Sequence, residues 1–210
     1  MKRTILLFTL CLTILIGHTQ INNKRYDVLP KREEGTSILF VGNSITDDCE
    51  WGELFENPNV LSRGIDGNIT TTILDRIHEL TRHKAAKVFF AIGTNDLGRT
   101  PVDTIMQNMS KIVQIFTEES PNTKIYFQSV LPVAQESIWG PGSKNDLVNE
   151  LNERYKQFCK DKDITYIDLN SHFLAEDGYH LKPEFTNDGL HIMAAGYKAW
   201  KSLVIDYVNE

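Results

Sequence analysis

Cysteine is scarce, with three in 210 residues at Cys11, Cys49 and Cys159, too few for a small disulfide-stapled scaffold. Positive charge is short as well. Lys and Arg total 22 against 28 Asp and Glu, a formal charge of −6 that becomes −8 without Lys2 and Arg3. That balance argues against a nucleic-acid or anionic-membrane surface. The apolar run from Ile5 to Ile16 is shorter than the roughly 20 residues a membrane span needs, so no stable membrane insertion of a mature chain is expected. No low-complexity tract, internal repeat or interdomain linker is visible, and no metal-ligand spacing joins His172, Asp177 and His180, which read as solvated or structural. What remains is 41% hydrophobic, 24% charged and 10% aromatic residues, the composition of one globular domain with a single core.

Residues 1–20 stand apart from the rest. Lys2 and Arg3 precede the apolar run, and Gly17-His18-Thr19-Gln20 follows it, the layout of a secretory signal peptide. An uncleaved anchor is the alternative, because there is no A-x-A site. A lipoprotein is disfavoured, because Cys11 lies inside the apolar run without small residues before it. The expected product is exported, periplasmic or extracellular, with residues 21–36 as a polar lead-in and 37–210 as the domain. Whether Cys49 and Cys159 pair is left open by the sequence.

Short apolar runs then alternate with helical patterns. Ser37–Val41, Val60–Ser62, Lys87–Ile92, Lys124–Val130 and Ile164–Ile167 read as strands. Their lack of polar alternation suits a parallel sheet covered on both faces. Val102, Ile105, Met106, Met109, Ile112, Val113 and Phe116 follow helical spacing behind Thr100-Pro101. Thr71–His83, Asp146–Lys160 and Met193–Val208 read similarly. About five β-α repeats give a three-layer α/β domain whose ligand crevice lies beyond the carboxyl ends of the strands.

The residues just after the strands therefore carry the functional expectation. Gly42-Asn43-Ser44-Ile45-Thr46 places a serine on a strand-to-helix turn. It is not a Gly-x-Ser-x-Gly elbow, because Thr46 replaces the last glycine, and no phosphate loop follows. Gly64-Ile65-Asp66-Gly67-Asn68 supplies tight turns with exposed N–H groups, and Gly93-Thr94-Asn95-Asp96 supplies a neutral amide. Near the carboxyl end, Asp188 and His191 stand three apart, a spacing that on a helical turn lets the carboxylate hold one ring nitrogen and free the other. Singly, each segment reads as a cap or a turn. Together they are the parts of serine acyl transfer: nucleophile, oxyanion donors and oriented base.

These four blocks resemble those of the SGNH, or GDSL, hydrolase superfamily, in family order from residue 42 to 191. The resemblance implies a flavodoxin-like α/β/α sandwich with five parallel strands and neither metal nor organic cofactor. It implies Ser44 as nucleophile, His191 as base and Asp188 as its orienter. The oxyanion hole would be the N–H groups of Ser44 and Gly67 with the side-chain amide of Asn95. Two positions depart from the family pattern: Asn43 and Asn68 stand where aspartates are usual, which implies altered loop anchoring rather than lost activity. The leader and compact size are similar to those of secreted bacterial members that act on acetylated sugars. The expected partner is thus a small-molecule or oligosaccharide ester, with no nucleic acid. Trp51 and Trp139 are candidate substrate-stacking residues, and a place in the core is an equal reading for Trp51. The rival functions are a lysophospholipase or thioesterase and a non-catalytic carbohydrate-binding member of the fold. The sequence does not give the oligomeric state.

Overall fold

In a computed structural model, which describes residues 25–138 and 144–210, the five apolar runs form five strands. They are β1 (Ile38–Gly42), β2 (Val60–Gly64), β3 (Lys87–Ala91), β4 (Lys124–Gln128) and β5 (Thr165–Ile167). All neighbours pair in parallel, in the order β2-β1-β3-β4-β5. The chain reverses its direction of travel across the sheet between β1 and β3, and doubly wound sheets of this order bind ligands at that reversal. The expected leader, residues 1–20, and Trp139 lie outside the described residues. No helix among the described residues is long and apolar enough to cross a membrane.

Alternate strand residues serve two cores because successive side chains point to opposite faces. Leu39, Val41, Val88 and Phe90 face the helices α3 (Thr70–Asp75), α4 (Ile77–Thr81), α5 (Val102–Glu119) and α6 (Asn145–Lys162). Phe40, Phe89 and Tyr126 face the C-terminal helix α8 (Ala194–Asn209) and the short helices α1 (Ser44–Asp47), α2 (Trp51–Leu54) and α7 (Asn170–Phe173). Strand register sets these three rings side by side, Phe40 beside Phe89 and Phe89 beside Tyr126. They stack at 4.8 and 4.4 Å between centroids. Trp51 continues the stack, 4.2 Å from Phe40, and its indole N–H donates to the Thr46 carbonyl. Cys49 and Cys159 are both free and lie in the cores on opposite faces of the sheet, so they do not pair. Burial pushes both thiols up to about 12.

The expected helix over 71–83 is two helices broken at Arg76, whose backbone sits at φ −116°, ψ 16°. A tertiary demand overrides the helical periodicity here. The Arg76 guanidinium is buried, with Nε donating to Asn68 Oδ1 at 3.1 Å, Nη2 donating to the Arg63 carbonyl at 2.6 Å, and Glu79 at 3.5 Å. The lead-in also packs on the domain rather than standing off it. The Tyr26 ring lies 4.6 Å from the Arg63 guanidinium, its hydroxyl donates to the Gly64 carbonyl, and Arg25 pairs with Asp47.

Candidate active site

β1 delivers its chain directly into α1. A side chain at Gly42 would strike Thr46 Oγ1 and the Ala91 carbonyl of β3, so glycine alone lets the turn fold this tightly against the sheet. Asn43 then caps α1, its Oδ1 accepting from the Ile45 N–H at 3.1 Å. That cap is the role the unusual Asn43 plays. Ser44 takes the first helical position, where N–H groups have no intrahelical acceptor. Its side chain is nearly covered, the residue being 8% exposed.

From the opposite end of the chain, the segment before α8 brings an imidazole to it. Ser44 Oγ and His191 Nε2 are 2.9 Å apart across 147 positions of sequence. His191 Nδ1 lies 2.7 Å from Asp188 Oδ2, while Asp188 Oδ1 accepts from the N–H groups of Leu190 and His191 at 2.8 Å each. Asp188 and His191 are not on a helical turn, as the spacing suggests. They occupy an aspartate-bracketed bend, with Gly189 at φ +82° and pressed on the Glu136 carbonyl, where a side chain has no room. α8 starts only at Ala194. Burial pushes the Asp188 carboxyl up, but the His191 ring and the two N–H groups outweigh it and hold the group below the usual carboxylate value. A carboxylate only accepts, so Nδ1 carries the proton and Nε2 presents a lone pair to the Ser44 hydroxyl. That is the protonation pattern of a base poised on a nucleophile.

The other two blocks follow β2 and β3, at the same carboxyl edge of the sheet as Ser44. Gly67 sits at φ +72° in the loop after β2. Asn68, behind it, is fully buried and held by Arg76, so the second departure from the family pattern keeps an anchor of its own. Burial and the neighbouring Arg63 lower Arg76, opposed by Glu79, to about 10. Asn95 Nδ2 donates to the Asn68 carbonyl at 3.1 Å. One amide hydrogen is thereby fixed and a second is left over. Asp96, also buried, receives the Thr70 N–H at 3.1 Å and the Thr70 hydroxyl at 2.7 Å, tying the loop after β3 to α3. Burial raises the Asp96 carboxyl despite these bonds. Burial likewise raises Asp48, helped by Asp47, Asp66 and Asp188 and opposed by His191.

Trp51 does not line the site. It is 1% exposed, inside the aromatic stack under the sheet. Seven residues beyond Ser44, its ring turns inward against Phe40, so this candidate is corrected to a core residue. Asp177 and His180, set aside on sequence as solvated or structural, are bonded to each other at 2.7 Å between Oδ2 and Nδ1. The signal for that pairing was in the chain, since Asp177 and His180 repeat the spacing of Asp188 and His191. Arg76 is the other site residue that the sequence did not announce; an arginine in a helical pattern gives no hint of burial.

The model of the GDSL-like Lipase/Acylhydrolase family matches residues 40–199. Among solved structures, a candidate platelet activating factor from Streptococcus pneumonia is 28% identical, with a TM-score of 0.83, covering 97% of this chain and 98% of that one. A candidate acylhydrolase of Bacteroides fragilis is 24% identical at TM-score 0.79, covering 90% and 95%. An acetylxylan esterase from Geobacillus stearothermophilus, solved as a catalytic mutant, shares the fold at 15% identity and TM-score 0.69, covering 85% and 96%. No curated protein matches the chain.

Proposed function

The chain belongs to the GDSL-like lipase/acylhydrolase family, and on that premise we propose that it is a serine esterase removing short acyl groups, acetyl above all, from a carbohydrate. The observation that carries this is the unbroken line Asp188–His191–Ser44, with contacts of 2.7 and 2.9 Å. Ser44 Oγ attacks the ester carbonyl while His191 Nε2 takes its proton. The oxyanion that forms is received by the N–H groups of Ser44 and Gly67 and by the Asn95 amide. The C–O bond to the alcohol then breaks, and His191 returns the proton to the departing oxygen. Water, deprotonated by the same imidazole, attacks the acyl-serine, and the carboxylic acid leaves as Ser44 regains its proton. Asp188 stays ionised and steadies the imidazolium throughout.

The carbohydrate assignment draws on the acetylxylan esterase among the fold relatives and on the Asp48 and Asp188 carboxylates near His191, which disfavour anionic esters. The layout of residues 1–20 supports action outside the cytoplasm. The test is a chain-length series, p-nitrophenyl acetate, butyrate and octanoate, with wild type and Ser44→Ala. Turnover falling steeply beyond butyrate and lost in the variant is the expected result. Turnover rising with chain length would favour a lipid substrate, and turnover unchanged in Ser44→Ala would remove the nucleophile.

A further inference from the structure

The chain builds its aspartate–histidine device twice. Asp177-Gly178-Tyr179-His180 repeats Asp188-Gly189-Leu190-His191, with both glycines at positive φ, +68° and +82°. Asp177 Oδ1 accepts from the N–H groups of Tyr179 and His180 at 2.8 and 3.0 Å, and Oδ2 lies 2.7 Å from His180 Nδ1. These bonds reproduce those of Asp188 one by one. They draw the Asp177 carboxyl down to about 2. The consequence for the ring is also the same: the proton sits on Nδ1 and the lone pair on Nε2. The His180 side chain is 22% exposed, close to the 28% of His191. In the second copy, no described residue bonds to Nε2 in the way that Ser44 bonds to His191.

His180 instead lines a cavity of about 700 Å³ between the segments 134–138, 175–183 and 186–189, a size typical of small-ligand sites. Asp188 belongs to its wall too, so an occupant would lie against the loop that orients His191. The wall is rich in acceptors. Glu136, Asp177 and Asp188 bring carboxylates, Gln135 brings an amide oxygen and His180 a lone pair, beside the exposed apolar side chain of Ile138. An anionic headgroup would meet three carboxylates. An acyl chain would strip water from them and return no hydrogen bond. A neutral molecule studded with hydroxyl donors meets neither cost, and its C–H face suits Ile138. Resting on the esterase reading above, we infer that this cavity is the subsite for the carbohydrate half of the ester, with His180 Nε2 accepting a sugar hydroxyl as His191 Nε2 accepts that of Ser44.

The test compares acetate release from partly acetylated xylo-, manno- and galacto-oligosaccharides with release from triacetin, which has no hydroxyl to offer. Wild type should favour at least one oligosaccharide by about tenfold or more in kcat/KM. His180→Ala should cut that preference by roughly threefold to tenfold, mainly through KM, the scale of one neutral hydrogen bond. His180→Gln, which keeps an acceptor, should retain part of it, and melting curves of both variants show whether the loop has folded. Variants that slow triacetin and oligosaccharides by one common factor would overturn the subsite. So would an enzyme that cleaves triacetin or lysophosphatidylcholine in preference to every oligosaccharide. A wild-type protein that cleaves none of them and takes up no fluorophosphonate would overturn the esterase reading itself, and this one with it.

Discussion

Replacing Asp188 by asparagine alters one atom and reverses the chemistry around it. Oδ1 can still accept from Leu190 and His191, so the bend should keep its backbone bonds. The group facing His191 Nδ1 becomes an NH2 donor, however, where an oxygen now stands at 2.7 Å. The ring must then hold its lone pair on Nδ1 and turn an N–H toward Ser44 Oγ, and a protonated Nε2 cannot take the hydroxyl proton. In a comparable triad this tautomer error lowers kcat about 10⁴-fold, equivalent to about 5.4 kcal/mol of activation free energy. Stability at neutral pH should change far less, by about 1 kcal/mol. The acid response should change with it. The folded Asp188 carboxyl lies below its ordinary value of 3.8, so its contribution to stability is full above that value. It is lost as pH falls through the lower folded value. Urea unfolding of wild type at pH 7 and pH 3 should therefore differ more than unfolding of Asp188→Asn. The assay is kcat for p-nitrophenyl acetate beside melting temperature. A kcat within tenfold of wild type in a folded variant would refute the tautomer argument.

Asn95→Ala removes one of the proposed oxyanion donors and also the partner of the Asn68 carbonyl; kcat should fall about 10²–10³-fold with KM little changed, read by steady-state kinetics. Trp51→Ala empties part of the aromatic stack and should cost about 3–5 kcal/mol of unfolding free energy. The milder Trp51→Phe should lower the melting temperature while leaving KM for acetylated oligosaccharides unaltered. A raised KM would return Trp51 to the pocket.

The sheet was legible because buried parallel strands leave uninterrupted apolar runs, and Ile38–Gly42 and Lys87–Ala91 each end on or near a glycine. That Ser44, Gly67 and Asn95 follow the carboxyl ends of β1, β2 and β3 was legible from the same runs. The pairing of Asp188 with His191 was legible as a spacing but not as a bend, because the same three-residue step serves a helical turn and an aspartate-bracketed loop. Trp51 was ambiguous for a different reason. An aromatic near a nucleophile stacks on ligand or on core according to a side-chain direction that only the register of Phe40 and Phe89 decides. The helix break at Arg76 was hidden altogether, since it answers to Asn68, Arg63 and Glu79, none of which marks the local pattern.

The most direct measurement is mass mapping of the protein after brief exposure to a fluorophosphonate. The expected result is one adduct on the peptide bearing Ser44, absent from Ser44→Ala and formed orders of magnitude more slowly in His191→Ala. An adduct at any other residue, or one that forms at the wild-type rate without the imidazole, would contradict the account of a hydroxyl and a ring brought together from opposite ends of the chain.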